Sequence, residues 1–409
     1  MHDWLSLEQI IWYNENGGNM RYFFIALLCI SLCGCREKIY EDLPEGVYIE
    51  EINNIEVYSD AYLFDLIKIE DAEIITDNYR VSTRTLGEKE IEVLYKFKKK
   101  KYVYTLKVTV EDTTPPEILA GSVRTIQQNH SGDLCDLFMI GDNYDRKPSC
   151  IIEGDYDVTK IGTYDITYLI SDSSGNKIEH KLNLHVIKPS NNPSPGNTQT
   201  VAFSEVSDRY KNDRTEIGID VSKWQQTIDF RKVKEAGATF VMMRIGVQKT
   251  VKGELEIDEY YYQNIKNAKE AGLKVGVYLY SIATSREESI EHAKWVLEKL
   301  DGTELELPIV FDWESWSRWN GLELSFHDIN EIADAFIETI NDNGYEGMLY
   351  SSKYYLERIW TNKKEHPVWL AHYTSTTDYA GEYMMWQMTD RGRIPGIKNN
   401  VDINIMYYK

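Results

Sequence analysis

From residue 214 onward, short apolar runs alternate with stretches whose apolar residues recur every three or four positions. The runs are IGIDVS (217–222), TFVMMRIG (239–246), KVGVYLYS (274–281), LPIVFDWE (307–314), EGMLYSS (346–352), HPVWLAHY (366–373), EYMMWQMT (382–389) and VDINIMYY (401–408). Runs of this length bounded by turn residues predict strands, and the periodic stretches between the early ones predict helices. Helices are expected over 258–271, stopped by Gly272, over 285–300 and over 325–343. Eight strands with intervening helices predict an α/β parallel barrel. Beyond 366 the connections are too short for helices, so the expected fold over 214–409 is an irregular TIM-like (β/α) barrel.

Before residue 190 the rhythm is a strict alternation. LGEKEIEV (86–93) matches IGTYDITY (161–168), an offset of about 75 residues, and each copy is followed by a second alternating run: Leu106, Val108 and Val110 in one, Leu182, Leu184 and Val186 in the other. Period-2 patterning with a turn signal at 172–176 favours antiparallel strands. The paired prolines of DTTPP (112–116) separate the copies. Two small all-β modules are expected, 40–112 and 113–188, resembling the bacterial immunoglobulin-like (Ig-like) modules that hold enzymes away from a cell surface. No acid pair, His cluster or metal-ligand spacing stands out in them, so a spacer role is expected. The Pro-, Ser- and Asn-rich stretch 189–213 reads as a linker.

Near the start, YFFIALLCISL (22–32) follows Arg21 and is about half the ~20 residues of a spanning helix. It reads as the core of a signal peptide over 20–35. Its end, Leu32-Cys33-Gly34-Cys35, resembles the bacterial lipobox, which makes Cys35 the expected lipidated N-terminus and places the rest of the chain outside the cytoplasm, anchored to the membrane. An uncleaved membrane anchor is the alternative. Residues 1–19 hold three acids and no Lys or Arg, a poor signal-peptide start, so Met20 is the expected initiator and 1–19 an upstream extension.

The whole chain has 409 residues and a net charge of −21. Residues 1–34 carry three acids and one Arg, so their removal takes −2 and leaves −19. Such an acidic balance argues against nucleic-acid binding and against nonspecific attraction to anionic wall polymers. Eight of the 10 Trp lie beyond Arg214, and none lies between Cys35 and Asp213, which disfavours sugar binding by the β modules. Cys135 and Cys150 could be bridged in a non-reducing compartment or could be two buried thiols.

In a barrel of this kind the working residues sit at the C-terminal ends of strands. Asp220, Asp312, Glu314 and Asp402 fall at or near such ends. Alternation puts Val310, Asp312 and Glu314 on one face of their strand and Ile309, Phe311 and Trp313 on the other, so both acids point into the barrel mouth. Two crowded carboxylates suit glycoside cleavage, because one must donate a proton while the other stays charged. Metal binding by the same acids is the alternative chemistry, but no His or further ligand motif accompanies them, so no metal and no cofactor are expected.

The stretches GIDVSKWQQTIDF, NIKNAKEAGLKVGVYLYS, LPIVFDWES, VWLAHY, WQMT and VDIN make residues 214–409 resemble a glycoside hydrolase family 25 catalytic domain, the Chalaropsis-type lysozymes. The resemblance implies cleavage of the β-1,4 bond between N-acetylmuramic acid and N-acetylglucosamine in peptidoglycan. It implies Glu314 as acid/base, Asp312 as its partner, and Asp220 and Asp402 as the other acids of the cleft. Residues 248–253 (QKTVKG) depart from the family's Lys-x-Ser/Thr-Glu-Gly signature. Tyr280, Trp316, Trp369, Tyr373 and Trp386 are candidate sugar contacts, although Trp369 and Trp386 could equally fill the barrel. Arg244, ending the second strand, could hold a substrate carboxylate or Asp220, or be structural. The rival readings are a catalytically silent wall-binding lipoprotein and an adhesin.

Overall fold

The computed structural model describes residues 38–189, 199–361, 363 and 365–408. The expected upstream extension, signal peptide and lipobox with Cys35 lie outside the described residues, as does the linker core at 190–198. No helix among the described residues is long and apolar enough to cross a membrane.

Eight strands close the C-terminal barrel: β1 (Thr215–Val221), β2 (Phe240–Gln248), β3 (Lys274–Ser281), β4 (Ile309–Trp313), β5 (Gly347–Ser352), β6 (Val368–Ala371), β7 (Met385–Arg393) and β8 (Val401–Tyr407). β1 to β7 pair in parallel in chain order, and β8 closes the ring by pairing antiparallel with both β1 and β7. The expectation of a parallel barrel is therefore corrected at the last strand. Only seven residues separate β7 from β8, whereas a parallel return needs a crossover of about a dozen or more.

Two apolar layers follow from the alternation along these strands. Ile217, Ile219, Val241, Met243, Val275, Val277, Ile309, Phe311, Leu349 and Leu370 face the helices. Phe240, Met242, Val310, Met348, Tyr350, Trp369, Met385 and Met406 fill the barrel. The helices are α1 (Phe203–Tyr210), α2 (Phe230–Glu235), α3 (Tyr261–Glu270), α4 (Arg286–Leu300) and α5 (Phe326–Asp342), with a short turn of helix at Lys353–Leu356. Helices α4 and α5 begin where their caps dictate: the Ser285 and Ser325 side chains accept from the backbone N–H groups of Glu288 and Asp328. In α5, Ile329, Ile332, Ala333, Phe336, Ile337 and Ile340 form the 3.6-period stripe that packs on the barrel.

Helix α1 falls inside the stretch read as linker. Val201–Ala202 pairs with β7, Phe203 and Val206 are buried, and Tyr210 meets Trp386 edge-on. The barrel's own structure thus begins before residue 214, because two well-placed apolar residues give this segment a face to bury.

Two compact units divide the chain. The smaller holds residues up to Glu50, Ile69–Asp77 and Glu92–Thr105; the larger holds Glu51–Lys68, Asn78–Ile91 and Leu106–Lys409. The expected module 40–112 is thus shared between them. Its main hairpin, Gly87–Phe97 with Lys100–Glu111, has strands of 11 and 12 residues, about twice the usual length. Within the larger unit, Ser149–Glu153, Gly162–Ser171, Lys177–Ile187 and Val123–Gln127 form a sheet, the last pair parallel and the others antiparallel. Ile166, Tyr168, Ile170, Leu182, Leu184 and Val186 bury its inner face. A disulfide joins Cys135 to Cys150. This β module is docked on the barrel rim: Asn320 accepts from the Ile140 N–H (3.0 Å) and donates to the carbonyl of Phe138 (2.8 Å). Arg146 also pairs bidentately with Asp328 (2.8 and 2.9 Å). Gly141 lies so close to Phe326 and Trp319 that a Cβ there would overlap the Phe326 ring.

Candidate active site

β1 ends just after Asp220 and β4 just after Asp312, while β8, running the opposite way, starts at Val401. Reversal of β8 places Asp402 directly opposite Asp220 in the ladder. Asp312 lies between Tyr280 on β3 and Tyr350 on β5 in the same ladder. The same end of the barrel therefore gathers Asp220, Asp312 and Asp402 on inward-facing positions. Glu314 lies one residue past the end of β4, at the start of the 3-10 turn Ser315–Gly321, with φ −131° and ψ 18°. It has left the extended conformation, so the turn rather than the strand pleat aims its side chain. Backbone of this kind recurs at functional positions.

Burial sets the charges. Asp312 is 5% exposed and its Oδ1 accepts no hydrogen bond. Burial, then the Glu314 charge, raises its pKa well above the ordinary carboxylate range against the opposing pull of Arg244. Asp220 is pushed up to about 6 by burial, opposed by hydrogen bonds from Asn404 and Gln387. Asp402 is raised well above its ordinary value by burial and then by the Asp220 charge opposite it. Glu314 touches solvent, but the walls around it still desolvate the carboxyl, and with Asp220 they raise its pKa as well. Burial thus biases all four acids toward their protonated forms.

A polar network fixes Asp220. Its Oδ2 accepts from Gln387 Nε2 (2.9 Å) and Asn404 Nδ2 (2.8 Å). Gln387 Oε1 in turn accepts from the Tyr350 hydroxyl (2.8 Å) and the Tyr373 hydroxyl (3.0 Å), and Asn404 Oδ1 accepts from Trp369 Nε1 (2.9 Å). Tyr373, half exposed, thus reaches the site through Gln387. Trp369 is buried beneath it and fills the barrel, edge-on to Tyr278 and Tyr350.

Three candidate contacts are placed differently from their expected roles. Trp386 belongs to the outer layer, 2% exposed, with its Nε1 donating to the His372 carbonyl. Arg244 pairs with Asp258, Nε to Oδ2 at 2.8 Å, rather than with Asp220. Trp316 stacks on Tyr355 (4.0 Å) and is ringed by Trp313, Trp319 and Trp360, which makes it an anchor for the turn after Glu314. Tyr280 lies opposite Asp312 in register. Conversely Trp224, just beyond Asp220 in the chain, is 67% exposed; its signal was a Trp in the first residues after a strand bearing an inward acid. The divergent 248–253 segment is held through Gln248, which bonds the Gly253 carbonyl, Glu288 and the Ile282 N–H.

Residues 219–397 match the family of glycosyl hydrolases family 25. Among relatives, the uncharacterized protein YegX of Escherichia coli strain K12 is 29% identical over 192 residues, 46% of this chain and 68% of that protein. An autolytic lysozyme of Clostridium acetobutylicum is 27% identical over 189 residues, 46% of this chain and 54% of its own length. The chain therefore spans only part of each of these relatives. A solved family 25 glycosyl hydrolase of Bacillus anthracis aligns with 53% of this chain and 96% of its own, at 20% identity and a TM-score of 0.43. Residues 219–397 thus form a glycosyl hydrolase family 25 domain.

Proposed function

We propose that the protein is a peptidoglycan hydrolase, a lysozyme that cuts the β-1,4 bond between N-acetylmuramic acid and N-acetylglucosamine. In this reading Glu314 protonates the leaving oxygen and then deprotonates the incoming water. The observation that carries it is Glu314 set beside the buried Asp312, whose Oδ1 accepts no hydrogen bond, at the barrel mouth. Asp312 faces the substrate's acetamide, orienting it to attack the anomeric carbon and stabilising the positive charge that develops. That charge keeps Asp312 ionised and leaves the shared proton on Glu314, as a coupled pair allows. Asp220, fixed by Gln387 and Asn404, and Asp402 hold the charge pattern and water. We read the modules at 40–188 as Ig-like spacers and Cys35 as the lipid anchor that tethers the enzyme outside the cytoplasm. Release of reducing sugars from purified peptidoglycan tests the activity; an inert, well-folded protein ends the reading in favour of a silent wall-binding lipoprotein.

The stereochemical prediction is net retention, seen by NMR in the first-formed anomer, with strongly reduced cleavage of a de-N-acetylated glycan. Inversion excludes neighbouring-group attack, and undiminished cleavage of the de-N-acetylated substrate returns Asp312 to the role of covalent nucleophile.

Trp224, exposed just after the strand that carries Asp220, is read here as a ring that stacks on a sugar. Trp224→Ala should raise KM about 2- to 10-fold, the ~0.5–1.5 kcal/mol of one ring contact, with kcat little changed. Initial rates over a series of glycan concentrations decide it, and an unaltered KM removes Trp224 from the groove.

A further inference from the structure

Three aspartates outside the barrel converge with no partner of opposite charge among the described residues. Asp112 follows the strand Lys100–Glu111, Asp142 follows Met139–Gly141, and Asp172 follows Gly162–Ser171. One carboxylate oxygen from each lies within 4.8 Å of the other two. Asp112 is 6% exposed, Asp142 1% and Asp172 9%. Neither oxygen of Asp112 accepts a hydrogen bond of good geometry, and Asp142 Oδ2 is equally unpartnered. The backbone around them aims rather than neutralises: Tyr144 and Asp145 N–H groups donate to Asp142 Oδ1, and Gly175 and Asn176 N–H groups to Asp172 Oδ1. Next door, Asn143 Oδ1 is also buried without a donor. Burying charge in this way is costly unless something positive is bound.

We propose that Asp112, Asp142 and Asp172 bind a Ca2+ ion. Oxygens bound to one Ca2+ at about 2.3–2.6 Å stand at most about 5 Å apart, which matches this cluster. An all-oxygen set without His or Cys disfavours zinc and copper. Mg2+ demands near-ideal octahedral geometry and retains its waters, which suits a buried carboxylate cluster less well. The ligands stand on three separate loops, 30 residues apart each time, so no local motif announces them.

The location gives the ion a role. The carbonyl of Asp142 accepts from the Phe326 N–H (2.7 Å) and that of Asn143 from the His327 N–H (3.3 Å), the first free donors of helix α5. Asn176 reaches from the Asp172 turn to the Asp112 carbonyl (3.0 Å). The ion therefore clamps the joint at which the strand Lys100–Glu111, the β module and the barrel meet.

The test uses the full chain, stripped with EDTA and then titrated with Ca2+, Mg2+ or Tb3+. One Ca2+ should bind per chain, with a Kd on the order of 10⁻⁴–10⁻³ M or tighter, as extracellular modules show. Tm should rise several degrees in Ca2+ and far less in Mg2+, and Tb3+ should show luminescence sensitised by Tyr144. Asp142→Asn and Asp112→Asn should each abolish binding and the Tm shift. In EDTA both variants should melt at or above the unsubstituted chain, because a repulsive carboxylate is gone. Three results overturn the site: no ion bound at about 10 mM Ca2+, binding that survives both substitutions and so lies elsewhere, or variants that lose as much stability in EDTA as in Ca2+, which marks the carboxylates as structural.

Discussion

Glu314→Gln is expected to lower turnover on peptidoglycan about 10²–10⁴-fold while the protein stays folded, the range that general acid–base groups contribute. Gln keeps the shape of the side chain and removes its proton relay. Glu314 is solvent-touching and starts a 3-10 turn without capping it through its side chain, so the exchange removes no structural hydrogen bond that the fold depends on. The loss should fall on kcat, because a group that acts only as the bond breaks does not hold the ground state. The same substitution should erase the alkaline limb of the pH–rate profile, on which a general acid loses its proton. A correctly folded Gln variant with full activity would sink the assignment.

Asp312→Asn should produce a comparable loss of activity and, unusually, a gain in stability at neutral pH. Asp312 is buried, one oxygen has no partner, and its pKa is raised by burial and by Glu314. A carboxyl whose folded pKa lies above its unfolded value contributes stability that is fully present below the unfolded pKa and lost as pH rises through the folded one. For Asp220 that window runs from 3.8 to about 6; Asp312 and Asp402 extend it upward, being raised well above 3.8. Tm should therefore fall between pH 4 and neutrality, as the stated shifts require. Asp312→Asn removes one of the groups responsible, so its Tm should exceed that of the unsubstituted chain at pH 8 by more than at pH 4. Thermal melts at the two pH values check this, and an Asn variant less stable at pH 8 would show that the ionised Asp312 supports the fold. Stability traded against chemistry in this way is expected where a sequence breaks a local rule for function.

Much of the barrel could be read in advance because each strand is a short apolar run whose alternation separates two layers. Asp312 is assigned inward by that alternation, whereas Glu314, assigned with it, is aimed by the turn that follows β4. Trp386 was not resolved by alternation: in EYMMWQMT both phases are apolar, and only the strand's register, which puts Met385 inside, turns Trp386 out and Gln387 in. A Gln and an Asn amid apolar runs (WQMT, VDIN) were the available signal for the network on Asp220, since a polar residue in a buried strand must find a partner. The short connection to β8 reads in sequence only as irregularity, and the reversed direction of that strand comes from the structure. Arg244 was not legible, because its partner Asp258 comes from a separate loop 14 residues on. The three module aspartates share that difficulty, which is inherent to contacts that only tertiary folding creates.

Asn320 lies six residues beyond Glu314 and ties the turn that bears the acid to backbone groups of Phe138 and Ile140. The piece of this protein that could be exchanged between architectures is consequently larger than the barrel. A recombination joint placed at the Pro- and Ser-rich stretch would sever the turn from its outside support and bare the ring of Phe326 against which Gly141 sits. A joint near the paired prolines at 115–116 would instead keep the turn and its outside support in one piece.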